Sequence, residues 1–288
     1  MSDYDVGESV IRTGHEYLDL VLNGGIHLPS LTLIEGDVQT GKGTLAQSIS
    51  NEALQEGNGV TYFTSENSPK AIVEQMQAFG MDIMDHITNA LFHVPRLQQP
   101  IVGDRCEWAV SPERLMLGLI EDLQSNAELR KIIVLDDISD MMRFGEESNV
   151  IQMFAECTRL RDEGTTIIAL AQSYAIEQDR IDAIAKLCDV HMNLETTGLG
   201  DHKGTLLTVH KANNKSLDAR NTVAFRIVNG QGIKTVDVPR TAASSTLRPA
   251  LGRAAFTSES MPPVRFQALS RLSPLHTIRS HVCIKLAC

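Results

Sequence analysis

The stretch IEGDVQTGKGTLAQSI, from Ile34 to Ile49, decides the fold. It nearly spells the phosphate-binding pattern G-x-x-x-x-G-K-[ST], but Gly43 stands where the pattern has a hydroxyl, and Thr44 lies one place later. The glycines of such a loop let successive N–H groups face a phosphate, and its lysine supplies a mobile cation. We therefore predict a nucleotide site made of Gly36, Asp37, Val38, Gln39, Thr40, Gly41, Lys42, Gly43 and Thr44.

The segments around this loop alternate between strand and helix patterns. The β-prone run at residues 30–35 leads into the loop, and Leu45, Ile49 and Leu54 continue from it with helical spacing. Further strand patterns fall at residues 59–67, 131–137 and 165–172, and helix patterns separate them. This alternation predicts an α/β fold with a mainly parallel sheet and helices on both faces. Beyond Lys186, short strands joined by turns predict antiparallel hairpins at the sheet edge.

Polar side chains at strand ends extend the predicted site. Asp136 ends the apolar run KIIVLDD, where an acid beside the loop holds Mg²⁺ directly or through water, and Asp137 is a second metal candidate. Glu66 ends the second strand pattern, where a carboxylate can polarise water for attack on a γ-phosphate. Gln172 ends the fourth, where its amide can sense that phosphate. We predict catalytic roles for Glu66 and Gln172.

Charge divides the chain near residue 240. The 288 residues carry 26 basic and 36 acidic side chains, yet residues 241–288 hold six basic residues and one acid, Glu259. The same segment has four prolines, many serines and no sustained apolar periodicity, which is typical of disorder. We predict an ATP-binding type of domain at residues 1–240 and a basic, disordered tail at residues 241–288.

The rest of the composition indicates a cytoplasmic protein. No apolar run approaches the roughly 20 residues of a membrane helix, and the first residues are acidic where a secretory signal is basic. The five cysteines form no C-x-x-C pair, which disfavours a disulfide framework and a zinc site.

Several segments together resemble the RecA/KaiC-like ATPases, and within them the FlaH-type accessory ATPases of the archaeal flagellum, or archaellum. RTGHEYLDLVLNGGIHLPSLTLIEGD, at residues 12–37, is similar to the opening of that family. FTSENSPKAIVEQMQAFGMDI places Glu66 at the family's catalytic glutamate, and FAECTRLRDEGTTIIAL resembles the flagellar branch. In HKANNK, Lys211 matches a lysine that reaches the γ-phosphate of a neighbouring subunit, whereas Asn213 replaces the usual arginine.

The resemblance implies a RecA-like P-loop NTPase that binds ATP and Mg²⁺ between subunits of a homo-oligomeric ring, a hexamer in this family. It implies that nucleotide switches association with the archaellum motor ATPase and membrane platform, and through them brings the protein to the inner face of the cell membrane. The missing hydroxyl at Gly43 and the missing arginine at Asn213 predict intact binding but weak ATP hydrolysis.

Three other interpretations stay open. A KaiC-like signalling autokinase could use hydroxyls such as Ser65, Ser68, Ser139 and Ser173. A DNA recombination or repair ATPase shares the fold, but its strand-binding loops are basic, and here residues 138–149 and 173–183 are interpreted as short acidic loops, which disfavours nucleic acid. A structural subunit with a vestigial site is the third.

Overall fold

A computed structural model describes residues 9–65, 67–97, 112–199, 202–213 and 221–236 of the chain. The backbone divides into two units, Met1–Ser244 and Ser245–Cys288, and only the first contains described residues. The tail at residues 241–288 and the boundary near residue 240 therefore stay predictions. No helix within the described ranges is both long and apolar enough to cross a bilayer.

Strands and helices alternate along the described chain. The strands are β1 (Val10–Ile11), β2 (Ile26–His27), β3 (Leu31–Gly36), β4 (Val60–Thr64), β5 (Phe92–His93), β6 (Ile132–Asp136), β7 (Thr166–Gln172), β8 (Val190–Leu199), β9 (His202–Ala212), β10 (Thr222–Val228) and β11 (Gly232–Thr235). The helices are α1 (Glu16–Val21), α2 (Lys42–Gln55), α3 (Pro69–Ala78), α4 (Met84–Thr88), α5 (Pro112–Leu129), α6 (Ser139–Phe144), α7 (Glu147–Asp162) and α8 (Gln178–Leu187).

One large sheet organises these elements, with strand order β11-β10-β9-β8-β3-β7-β6-β4-β5. The pairs from β8 through β5 are parallel, and those from β8 to β11 are antiparallel. β1 and β2 pair separately. The predicted RecA-like architecture, a mainly parallel sheet with antiparallel hairpins at one edge, is confirmed.

Apolar side chains alternate between the two faces of the sheet and form two cores. One core joins Ile34 and Val134 to Leu45 and Ile49 of α2. The other joins side chains of the opposite strand face to the long helices that cover it, and its members include Leu33, Leu135, Leu123, Phe154 and Ile181. Burial on both faces explains why the central strands are continuous apolar runs.

The chain starts and stops its helices largely where the sequence predicts. Ser68 caps α3 by accepting a hydrogen bond from the N–H of Ala71, and Pro69 takes the first helical position. Two segments interpreted as loops are partly helical, however. Residues 138–149 contain α6, and residues 173–183 contain the start of α8, because Met142 and Ile181 turn into the core. The sequence interpretation of these two segments as loops is therefore corrected.

Candidate functional site

The phosphate-binding loop connects β3 to α2 at the carboxyl end of the sheet. Gly36 and Gly41 both have positive φ angles, 153° and 93°. A Cβ at Gly36 would lie 2.4 Å from the carbonyl oxygen of Leu194, and one at Gly41 would lie 2.7 Å from Cδ1 of Ile227. Only glycine suits both positions, so the loop curls tightly beside β8 and β10.

Lys42 begins α2 and folds back over the loop. Its side chain is buried, and its Nζ donates to the carbonyl oxygens of Gly36 at 2.8 Å and Asp37 at 2.9 Å. The hydroxyl of Thr40 donates to the same Asp37 oxygen at 2.8 Å. These bonds hold the loop in a defined shape with the lysine cation at its centre.

A cleft of about 330 Å³ opens in front of the loop. This volume lies at the lower end of the range of roughly 300–1,000 Å³ for small-molecule sites. Gln47, Asn67 and Gln75 contribute polar walls, and Val38, Phe79 and Ile227 contribute an apolar wall. The loop from Gly41 to Thr44 forms the floor. A charged phosphate chain and a flat apolar base are the kind of ligand that such a two-sided cleft accepts.

Asp136 ends β6 and lines the cleft beside the loop. Its Oδ2 accepts a hydrogen bond of 2.7 Å from the hydroxyl of Tyr62, which lies on the adjacent strand β4. The same oxygen lies 3.5 Å from the position that a Cβ on Gly43 would take. The carboxylate therefore stands next to the place where the standard loop carries its hydroxyl.

The donor set suits Mg²⁺ because this ion is held in nucleotide sites by one or two carboxylates and by the phosphates themselves. Asp136 offers such a carboxylate within the cleft. No cluster of three or more His, Cys, Asp or Glu side chains suited to a metal ion occurs in the part of the chain that the structure describes. Asp136 would hold Mg²⁺ together with phosphate oxygens of a bound nucleotide.

Asp137 connects three strand ends. Its Oδ1 accepts hydrogen bonds from the N–H of Ser139 at 2.7 Å and from the Ser139 hydroxyl at 2.5 Å. The backbone N–H of Gln172 in turn donates to that hydroxyl at 2.7 Å. Ser65, at the end of β4, donates its hydroxyl to the carbonyl oxygen of Asp137 at 3.0 Å. The structure thus places Asp137 and Gln172 together at the cleft, and their metal and catalytic roles stay predictions.

The hydroxyls considered for an autokinase have other partners where the structure records them. Ser65 and Ser139 bond to Asp137, and Ser68 caps α3. The hydroxyl of Ser173 is buried and has no recorded hydrogen-bond partner. These contacts give the first three serines structural roles.

Two other predicted residues are not placed at the cleft. Glu66 lies outside the described residues, so its role stays a prediction. Lys211 lies on β9, and its Nζ donates to the carbonyl oxygens of Lys186, at 3.2 Å, and Cys188. Both acceptors are at the carboxyl-terminal end of α8, where a cation is favoured by the helix dipole. The predicted contact of Lys211 with the γ-phosphate of a neighbouring subunit would form only between two subunits, so it stays a prediction.

Sequence reasoning missed most of the walls of the cleft. Phe79 follows α3, Ile227 lies on β10, and Gln47 and Gln75 lie on facing helices. These residues are far apart in the sequence and match no motif. Gln47 donates to the side-chain oxygen of Gln75 at 2.9 Å, which joins α2 to α3 across the cleft.

The loop, the neighbouring acid and the sheet order agree with a comparison to protein families. A model of the KaiC ATPase family matches residues 11–239. The chain belongs to the KaiC family of ATPases. Membership of this KaiC family implies nucleotide binding.

Individual relatives within the KaiC family point to one branch. The archaeal flagellar ATP-binding protein FlaH of Sulfolobus acidocaldarius is 24% identical over 228 residues, covering 79% of this chain and 96% of that protein. FlaH of Methanocaldococcus jannaschii is 24% identical over 226 residues, covering 77% and 93%. The circadian clock protein KaiC3 of Synechocystis is 29% identical over 171 residues, but these are 58% of this chain and 33% of that protein.

A solved structure shows the same fold. The crystal structure of the flagellar accessory protein FlaH from Methanocaldococcus jannaschii aligns with a TM-score of 0.69 at 21% identity, covering 80% of this chain and all of that one. The resemblance to the FlaH type within the RecA/KaiC-like ATPases is confirmed.

Proposed function

We propose that this KaiC-family protein binds ATP with Mg²⁺ in the cleft and acts as a nucleotide-dependent regulatory or assembly component of the archaellum motor, with slow hydrolysis. The observation that carries the proposal is the buried Lys42 at the centre of a glycine loop, next to the carboxylate of Asp136. The two FlaH relatives, both described as archaeal flagellar ATP-binding proteins, support the archaellum role.

The two sides of the cleft bind different parts of the nucleotide. The phosphates occupy the loop, where backbone N–H groups and the positive end of α2 face them and Lys42 neutralises charge. The base lies toward Phe79 and Ile227, whose side chains give it apolar contact. Asp136 holds Mg²⁺, which offsets phosphate charge when it is bound.

Slow hydrolysis follows from two departures from the family pattern. Gly43 supplies no hydroxyl to the metal, so fewer protein atoms fix its place. Asn213 supplies no positive charge, and an arginine acting from a neighbouring subunit is worth roughly 10³ to 10⁵ in rate where it operates fully. A protein that binds ATP and hydrolyses it slowly to ADP and phosphate suits a switch better than a motor.

The remaining parts of the proposal concern assembly. We infer that ATP binds at the edge of one subunit, where Lys211 of the next subunit contacts it. The bound nucleotide would then control assembly of a homo-oligomeric ring. Contact with the motor ATPase and the membrane platform would then hold the protein at the inner face of the cell membrane. A pull-down of the purified partners with ATP-loaded and ADP-loaded protein tests this part, and equal recovery in both states contradicts it.

Lys42→Ala tests the site itself. We expect loss of ATP and ADP binding, measured by isothermal titration calorimetry, because the change removes the buried cation of the loop. Lys70→Ala is the matched control, since Lys70 is 83% exposed on α3 and pairs only loosely with Glu74 at 3.5 Å. The proposal is wrong if Lys42→Ala binds ATP as tightly as the parent.

A further inference from the structure

Tyr62 is a buried polar residue that the proposed function does not use. Its side chain is 0% exposed, and its ring makes an edge-to-face contact with Phe92 at a centroid distance of 6.4 Å. A buried tyrosine hydroxyl needs a hydrogen-bond partner, and here the partner is Oδ2 of Asp136 at 2.7 Å. Tyr62 is the donor of this bond, because an ionised carboxylate can only accept hydrogen bonds. The buried hydroxyl of Tyr62 is thus committed to the acid at the cleft.

The geometry links this bond to the unusual glycine. A Cβ on Gly43 would lie 3.5 Å from Oδ2 of Asp136, the same oxygen that Tyr62 holds. In a standard loop the residue at this position carries a hydroxyl beside the metal. Position 43 of this chain has no hydroxyl, and the hydroxyl of Tyr62 on β4 contacts Asp136 instead.

We propose that Tyr62 is the positioning residue for the metal-side carboxylate of Asp136, and that its hydroxyl compensates in part for the missing hydroxyl at Gly43. This inference rests on the proposed binding of ATP with Mg²⁺. Groups that hydrogen-bond a ligating carboxylate fix its orientation, and their removal typically costs about 10- to 100-fold in metal affinity. Tyr62 acts through Asp136 and touches neither nucleotide nor metal.

A double-mutant cycle tests the compensation. The proteins are the parent, Tyr62→Phe, Gly43→Ser and the double variant, with Tyr17→Phe as a matched control because Tyr17 is half exposed on α1. Each is loaded with ATP, and Mn²⁺ binding is followed by the electron paramagnetic resonance signal of the free ion. ATP affinity in chelator is measured for every protein.

We expect Tyr62→Phe to weaken Mn²⁺ binding roughly tenfold, while ATP affinity in chelator stays within about twofold of the parent. In the Gly43→Ser background the same change should cost less than about threefold, because the serine hydroxyl can take over the contact with Asp136. Tyr17→Phe should match the parent in both measurements. A purely structural tyrosine would not show this dependence on residue 43.

The inference is overturned if Tyr62→Phe keeps the Mn²⁺ affinity of the parent, or if its cost is the same with glycine and with serine at position 43. Failure of the parent to bind ATP both with Mn²⁺ and with chelator would instead contradict the proposed function. Loss of ATP binding in chelator by Tyr62→Phe alone would assign the tyrosine to folding and also overturn the inference.

Discussion

Gly43→Ser restores the side chain that the loop pattern expects, and the structure has room for it. The ideal Cβ would meet Oδ2 of Asp136 at 3.5 Å, which is an ordinary contact distance. Gly43 is the second residue of α2 and does not have a positive φ, so serine needs no backbone change. We expect the variant to fold and to gain in two separate ways.

The first gain is in stability. Glycine within a helix is less favourable than alanine by about 0.8–1.0 kcal/mol, and serine lies roughly midway, so the substitution should stabilise α2 by about 0.5 kcal/mol. For a domain of this size, about 1 kcal/mol shifts the melting temperature by about 2–4 °C. We therefore expect the nucleotide-free variant to melt about 1–2 °C higher than the parent.

The second gain is in metal-dependent binding. An oxygen contact to a charged partner contributes roughly 1.5–3 kcal/mol, which corresponds to roughly 10- to 150-fold in affinity. The ratio of ATP affinity with magnesium to ATP affinity with chelator should rise by a factor in this range in Gly43→Ser. Hydrolysis should rise with it if metal placement limits the rate.

Paired calorimetric titrations of parent and variant, one in magnesium and one in chelator, measure that ratio directly. The parent should show a small magnesium effect and the serine variant a larger one. Equal effects in both proteins would mean that Thr44 or another residue already supplies the ligand, and the explanation of slow hydrolysis by a poorly held metal would be refuted.

Glu66→Gln should keep ATP binding and abolish hydrolysis, since the amide preserves the shape of the side chain but cannot act as a base. Unchanged turnover in a phosphate-release assay would mean that Glu66 has no catalytic role. A further prediction concerns stability at acid pH. Burial lowers the pKa of His15, against an opposing effect of Asp19 and with a smaller lowering by Lys234. Folding therefore favours the neutral form of the His15 ring. The contribution of this neutral form to the free energy of unfolding is fully present above about pH 6.5 and is lost as the pH falls below that value. Thermal melts from pH 7.5 to 5.5 should show this decline, and His15→Gln should flatten it; an equally steep decline in the variant would exclude His15 as its source.

Local patterns explain why the loop and the central strands could be predicted from the sequence. The glycines and Lys42 act within a span of a few residues, and the continuous apolar runs of β3, β6 and β7 reflect burial on both faces of the sheet. Ser68 and Pro69 predict the start of α3 by capping chemistry alone. In each case, the interactions that form the element involve residues close together in the sequence.

Contacts between distant segments could not be predicted in the same way. Tyr62 and Asp136 are 74 positions apart, and only the pairing of β4 with β6 brings them together. The available signal is a tyrosine in a β-prone strand that is fully buried, which indicates a hydrogen-bond partner without identifying it. Likewise, α6 and α8 were missed because their acidic residues suggested loops, while Met142 and Ile181 face the core.

The hydrogen bonds of Lys42 to Gly36 and Asp37 have a consequence for ligand selection. Nucleotide entry becomes an exchange around one ammonium group, in which phosphate oxygens replace neutral carbonyl oxygens. Phosphate oxygens carry negative charge and carbonyl oxygens do not, so a polyphosphate attracts the ammonium group more strongly than the carbonyls do, whereas an uncharged nucleoside offers no such attraction. The loop also keeps its shape through its own bonds, so a ligand need not meet the cost of ordering it, about 1–2 kcal/mol for each residue fixed. If ATP binds here as proposed, we expect the site to select ATP over adenosine.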